Sequence, residues 1–171
     1  MITLGIDLSM TGTGVVRLKD GHYTSQLIKT KPTKSAEEEV KRLQTIRDKI
    51  EMNDIDLAVI EGLSYATRNT TSLIQLAALN YMVRERLMME KIQFIIVAPT
   101  TLKKFVTGKG NAQKDLMLLE TYKRYKVNIT DNNIMDGYGL ARIGEALLDN
   151  KVQLTEKQKE VVELLRKQLV I

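Results

Sequence analysis

The chain has 171 residues, with 26 Lys and Arg against 21 Asp and Glu, one histidine and no cysteine. That length supplies a domain with a core of its own, and the cysteine count excludes thiolate catalysis, Cys-ligated zinc and a disulfide scaffold. No apolar run approaches the roughly 20 residues of a membrane helix, and Met1 leads into a strand pattern rather than a basic and then apolar leader, so a cytoplasmic protein without a membrane partner is expected.

Residues 2–16 come first, and the rest can be read around them. Ile2, Leu4, Ile6 and Leu8 alternate with Thr3, Gly5 and Asp7, and a period of two puts the aliphatics on one face of a strand and Asp7 on the other. Gly5, on that second face, leaves room for another element to approach closely. A carboxylate ending an apolar strand costs free energy unless it is solvated, paired or holding a metal. Residues 11–19 and 23–31 are β-rich segments flanking Asp20-Gly21, so residues 2–31 read as three consecutive antiparallel strands. His22 falls in that turn and reads as a surface residue.

Pro32 ends the strand run. Ser35 with Glu38 fits a capping box, and Val40, Leu43, Arg47 and Ile50 fall near helical spacing, which predicts a helix over 36–52. Residues 55–61 (IDLAVIE) form an apolar run suited to a strand covered on both faces, and it too ends in an acid, Glu61. A loop holding Tyr65, Arg68 and Asn69 precedes a helix over 70–90. There Leu73, Leu76, Ala77, Tyr81, Val83, Leu87 and Met88 cover more than one stripe, so the helix either crosses the core or also meets a second subunit. Small Ala77 and Ala78 would permit close helix contact, and a homodimer is expected.

Residues 94–98 form the fifth strand, stopped by Pro99. A short helix over 101–106 and a glycine-bearing loop over 107–111 follow. Helices are predicted over 112–125, over 132–148 with Asp131 or Asn132 as cap, and over about 155–170 with Thr155 and Gln158 at its start. The order βββαβαβα makes this an α/β chain, one domain over 1–171, with a mixed five-stranded sheet flanked by helices on both faces.

Three acids thereby acquire addresses: Asp7 ends strand one, Glu61 ends strand four, and Asp136 lies early in a late helix. Strands one and four can be neighbours. If the late helix packs over Gly5, Asp136 and Asn133, three residues apart on one helical face, complete the cluster. Carboxylates held together need counter-charge, and oxygen donors without His or Cys favour Mg²⁺ or Mn²⁺. Residues 91–126 carry eight basic side chains against two acidic ones, an excess larger than the net +5 of the whole chain. Such a patch suits a polyanion, most economically nucleic acid. Two hard cations roughly 3.5–4 Å apart can activate a water on one side of a phosphodiester and stabilise the leaving oxygen on the other. Metal-dependent phosphodiester hydrolysis is the expected reaction class.

LGID (4–7), VIEG (59–62), PTTLKKFVTGKGNAQK (99–114) and DGYGLA (136–141) resemble, in order and spacing over residues 1–148, the RuvC Holliday junction resolvases of the RNase H-like superfamily. The compact LSMTGTG after Asp7 looks more like the short phage and viral members. The resemblance implies an RNase H-like fold and a dimeric endonuclease making paired nicks in four-way or otherwise branched DNA. It implies two Mg²⁺ ions, Mn²⁺ being able to substitute, and the cytoplasm of a bacterial host if the gene is a phage's. Asp7, Glu61 and Asp136 match the family's catalytic acids and, with Asn133, its metal ligands. Lys103 and Lys114 match basic residues near the scissile phosphate, Lys114 among the catalytic groups, and Lys104 and Lys109 extend the DNA-binding patch. Tyr65 is expected either to stack on a base at the junction centre or to be a merely buried or exposed tyrosine, and Arg68 and Asn69 beside it are expected as DNA contacts.

Two departures stand out. Asn133 occupies the first acidic position of the family's D-x-x-D motif, which lowers the charge of the cluster. Ser64 stands where bacterial members carry an aromatic, with Tyr65 next to it. Three other readings compete: a nuclease-dead module that binds branched DNA, motivated by Asn133; a less specific RNase H-like nuclease; and an actin-like or sugar-kinase-like ATPase using residues 7–14 as a phosphate hairpin, for whose second lobe 171 residues leave little room.

Overall fold

The computed structural model describes residues 1–63 and 70–169. Strand β1 (Ile2–Asp7) lies at the middle of a five-stranded sheet of order β3-β2-β1-β4-β5. β2 (Gly12–Lys19) and β3 (His22–Lys29) continue from it antiparallel, whereas β4 (Leu57–Glu61) runs parallel to β1 and β5 (Phe94–Val97) parallel to β4. The β2–β3 turn has φ of 49° at Asp20 and 80° at Gly21, the pair of left-handed residues that a tight two-residue hairpin needs. His22 opens β3 and is exposed.

The alternation in β1 sorts the two faces of the sheet. Leu4 and Ile6 join Leu43 and Ile46 of α1 (Ala36–Lys49) and Leu79, Val83 and Leu87 of α2 (Thr70–Met89) in one aliphatic layer. On the other face, Leu57, Val59, Ile95 and Val97 meet α3 (Pro99–Thr107), α4 (Lys114–Tyr125), α5 (Asn132–Leu148) and α6 (Glu156–Arg166). Helix α5 is the close neighbour of β1 and β2. A Cβ on Gly5 would overlap the Gly137 carbonyl oxygen and stand 2.5 Å from the Ala141 nitrogen, and Gly144 would meet Thr3 at 3.0 Å. Thr3 Oγ1 donates to the Ala141 carbonyl at 2.9 Å. The room that Gly5 leaves is therefore filled by backbone.

Several sequence expectations shift. Helix α1 stops at Lys49, and its inward stripe is Arg42, Leu43 and Ile46, while Val40 faces solvent. Ser35 Oγ accepts from Glu38 N at 3.2 Å, but the Glu38 carboxylate accepts from Lys34 N instead of closing the box on Ser35. Pro99 opens α3 rather than merely ending β5, because its fixed φ suits the first helical position, where no N–H is needed. In α2 the wide apolar arc divides: Leu79, Asn80, Val83 and Leu87 point inward, and Ile74, Tyr81 and Met88 stay exposed. The complete capping box of Thr155 and Gln158 starts α6, whose Val161, Val162 and Leu165 enter the core, so this helix packs on its own domain. Just beyond it the Gln168 side-chain amide donates to the Ile96 carbonyl at 2.9 Å and accepts from the Ile96 N–H at 3.1 Å, on the outer edge of β5.

Candidate functional site

Parallel pairing brings two of the acids together. Ile6 of β1 is in register with Ile60 of β4, so Asp7 and Glu61, the residues that end these strands, lie side by side at one end of the sheet. Both fall on the α5 face, since Ile6 and Ile60 belong to the opposite aliphatic layer. The two carboxyl groups hydrogen-bond each other.

The third acid is delivered by the start of α5. Asp131 caps the helix, its Oδ1 accepting from the N–H groups of Asn133 at 2.9 Å and Ile134 at 3.0 Å. Asp131 is thus committed to the cap and does not make up for the missing acid at position 133. The main chain of Asn133 rests on Gly14, where any Cβ would overlap it, and Gly14 is the ladder partner of Asp7. Asn133 therefore sits beside the acids, with its side-chain nitrogen over Gly12. One turn on, Asp136 is 3% exposed; Oδ2 takes the Lys114 ammonium, and Oδ1 is buried without a hydrogen-bond partner.

Crowding of buried acids sets the electrostatics. Burial first, then the neighbouring Glu61 and Asp136, push the Asp7 carboxyl up to about 9, against the opposing pull of Lys114. Burial and Asp136 likewise raise Glu61, opposed by the hydrogen bond from Asp7 and by Lys114 and Lys103. Both carboxyls are thus pushed toward the protonated form, and the pair shares a proton. Burial raises Asp136 too, opposed by Lys114 and then Lys103. Among the described residues no three His, Cys, Asp or Glu side chains are grouped closely enough, as they stand, to hold a metal ion. The chemistry of the donors nonetheless fits a hard divalent cation. They are all oxygens, one buried carboxylate oxygen lacks a partner, and two carboxyls share a proton for want of positive charge.

The lysines divide by position. Lys103, at the middle of α3, and Lys114, at the start of α4, act on the acid cluster. Lys104, one residue from Lys103, turns away and pairs with Glu160 of α6 at 2.8 Å. Lys109 is exposed in the loop after Gly108, whose φ of 81° ends α3. Ser64, Tyr65, Arg68 and Asn69 lie outside the described residues.

Two supporting residues escape sequence reasoning. Asn80, 1% exposed on the inward stripe of α2, donates to the Glu61 carbonyl at 3.4 Å. Arg42, 8% exposed on that of α1, donates to the Met10 carbonyl at 2.5 Å and to Thr30 Oγ1 at 2.9 Å, tethering the loop that follows Asp7. The available signal was a polar residue inside an apolar helical stripe, where burial without partners is costly.

The chain is similar to known proteins over most of its length. The family model described as Crossover junction endodeoxyribonuclease RuvC matches residues 3–141. A curated crossover junction endodeoxyribonuclease RuvC from Brachyspira hyodysenteriae is 29% identical over 147 residues, covering 82% of this chain and 91% of the relative. Among solved structures, T. thermophilus RuvC in complex with Holliday junction substrate superposes with a TM-score of 0.67 at 17% identity, covering 82% of this chain and 90% of that one. A second Thermus thermophilus RuvC structure gives 0.62 at 18% identity, with 82% and 91% covered. At those identities the superpositions establish the fold, which is the RNase H-like fold expected from the sequence.

Proposed function

The chain belongs to the RuvC family of crossover junction endodeoxyribonucleases, and we propose that Asp7, Glu61 and Asp136 are the acids with which it cleaves. It is a structure-selective endonuclease that resolves four-way DNA junctions. The observation that carries the site reading is the meeting of those three acids, from distant parts of the chain, beside Lys114 and Lys103.

In this reading the three carboxylates, with the Asn133 carbonyl oxygen as a neutral fourth donor, hold Mg²⁺ or Mn²⁺, two ions when the site is full. A hard divalent cation supplies positive charge at the scissile phosphate and lowers the pKa of an attacking water. The chain's own residues do the rest. For both carboxylates to become donors, the Asp7–Glu61 pair would release its shared proton to solvent. Lys103 and Lys114 neutralise phosphate oxygens, and Lys109 carries the contact along the backbone. Tyr65, Arg68 and Asn69 contact DNA near the branch. Two copies joined through the exposed Ile74, Tyr81 and Met88 of α2 present two sites to paired strands, accounting for paired nicks. Among the described residues no helix is long and apolar enough to cross a membrane.

The test is nicking of a mobile four-way junction in Mg²⁺, Mn²⁺ and EDTA. Paired nicks are expected in both metals and none in EDTA. Asp136→Asn, Asp7→Asn and Glu61→Gln should each lose about 10²–10³-fold or more in cleavage rate, the cost typical of removing one electrostatic group from such a site, while still binding the junction. Normal cleavage by Asp136→Asn overturns the site. Asn133 motivates a second reading, a module that binds branched DNA without cutting it. Binding without nicks in either metal would establish that reading, and higher Mg²⁺-supported activity in Asn133→Asp marks position 133 as a metal donor.

A further inference from the structure

We infer that Lys114 is the resident counter-ion of the metal-free acid cluster, holding the place a cation takes and leaving Asp136 when the cation arrives. The inference rests on the acid site proposed above and assigns Lys114 a second partner besides DNA.

Asp136 is almost wholly buried, yet the ammonium that neutralises it is not: the Lys114 side chain is 44% exposed, against 4% for that of Asp136. An unpaired carboxylate in that setting carries a large desolvation cost. One Asp136 oxygen has the ammonium, and the other is buried with no donor. A single monovalent point charge therefore covers half of what the carboxylate can offer, whereas a hard divalent cation engages more oxygens at once.

The surroundings of Lys114 are built for departure. It is the first residue of α4, its N-cap Gln113 makes no side-chain capping bond, and the linker behind it contains Gly108 in the left-handed region and the half-buried Gly110. Lys114 extends from the surface inward, so withdrawing it from Asp136 returns the ammonium to the solvent side, where a DNA phosphate approaches. Lys104, by contrast, is held between α3 and α6 by Glu160, which also takes Lys157. Of the two lysines, only Lys114 is engaged with the acid cluster and only its pairing conflicts with cation binding.

Competition for one carboxylate makes the ammonium and the cation negatively coupled ligands of a single site. Mn²⁺ binding to the DNA-free protein, followed by electron paramagnetic resonance, reads this directly. Lys114→Gln should bind Mn²⁺ about tenfold more tightly than the unmodified protein, within the range usual for such coupling, and should gain more in Tm from added Mg²⁺. Lys123→Gln removes the same charge from the same helix and serves as the control for long-range attraction. Equal tightening in both variants, or none in Lys114→Gln, overturns the inference. The unmodified protein supplies a second measurement: the ¹⁵Nζ signal of Lys114, sharpened by its ion pair in EDTA, should shift or broaden on Mg²⁺ addition, and an unchanged signal counts against displacement. Asp136→Asn separates this from failure of the site itself. If it binds Mn²⁺ as well as the unmodified protein, the acid site is wrong; if it loses binding while Lys114→Gln gains none, only the counter-ion role fails.

Discussion

The two faces of the central sheet are built on different principles. Toward α1 and α2 the strands present Leu4, Ile6, Ala58 and Ile60 to Leu43, Ile46, Leu79 and Val83, a layer of interlocking aliphatic side chains. Toward α5 they present Thr3, Gly5, Asp7 and Gly14, and the helix answers with Gly137, Ala141 and Gly144, so that backbone lies on backbone. Aliphatic layers adjust to a lost methyl group by local repacking, whereas a glycine seam has nothing soft to give. The acids sit on the seam. Asp136 lies in α5 between Asn133, whose main chain rests on Gly14, and Gly137, whose carbonyl rests on Gly5, so its place beside Asp7 is set by main-chain contact rather than by side-chain packing.

The sharpest way to break this contrast is Gly5→Ala. The added carbon overlaps the Gly137 carbonyl, and because the obstacle is backbone the cost should reach or exceed the ~3 kcal/mol upper end of ordinary overpacking. Cleavage per folded molecule should fall with it, as α5 and Asp136 are lifted from Asp7; chemical denaturation and junction nicking on the same sample check both. Ile46→Ala, in the fully buried aliphatic layer, should cost about 2–5 kcal/mol while leaving the rate per folded molecule unchanged. A comparable loss of rate would show that the acids depend on both faces.

A further expected effect is a pH dependence confined to the seam. Asp7 is raised from 3.8 to about 9 by burial and by its acidic neighbours, so the folded state binds this proton more tightly than the unfolded chain. The associated stability is complete below the unfolded pKa and is lost as pH climbs toward about 9. In EDTA the unmodified protein should therefore lose Tm between pH 5 and 9 more steeply than Asp7→Asn does. Identical slopes would remove Asp7 from the origin of the effect.

How far the sequence could be read follows the same division. The alternation of residues 2–8 gave the face of Asp7, and Gly5 on that face announced a close neighbour, because period and glycine are local signals. The proposed meeting of Asp7 with Glu61 follows from parallel pairing of β1 with β4, and strand-then-acid repeated in both segments. Arg42 bound to Met10 and Thr30, Asn80 beneath Glu61, and Lys104 taken up by Glu160 left no comparable trace. Each rests on one or two polar contacts between separate segments, and isolated contacts have no period. For the same reason Lys103 and Lys104 read alike in a basic run but point to different partners.

Gln168 has a consequence for self-association. Its amide offers Ile96 both the acceptor and the donor that a sixth strand would offer, so the rim of the sheet at β5 is blunted by one side chain. A glutamine-to-alanine change there would bare main-chain groups able to recruit an extended segment from another molecule. The chain guards its solubility with the smallest possible imitation of a neighbour.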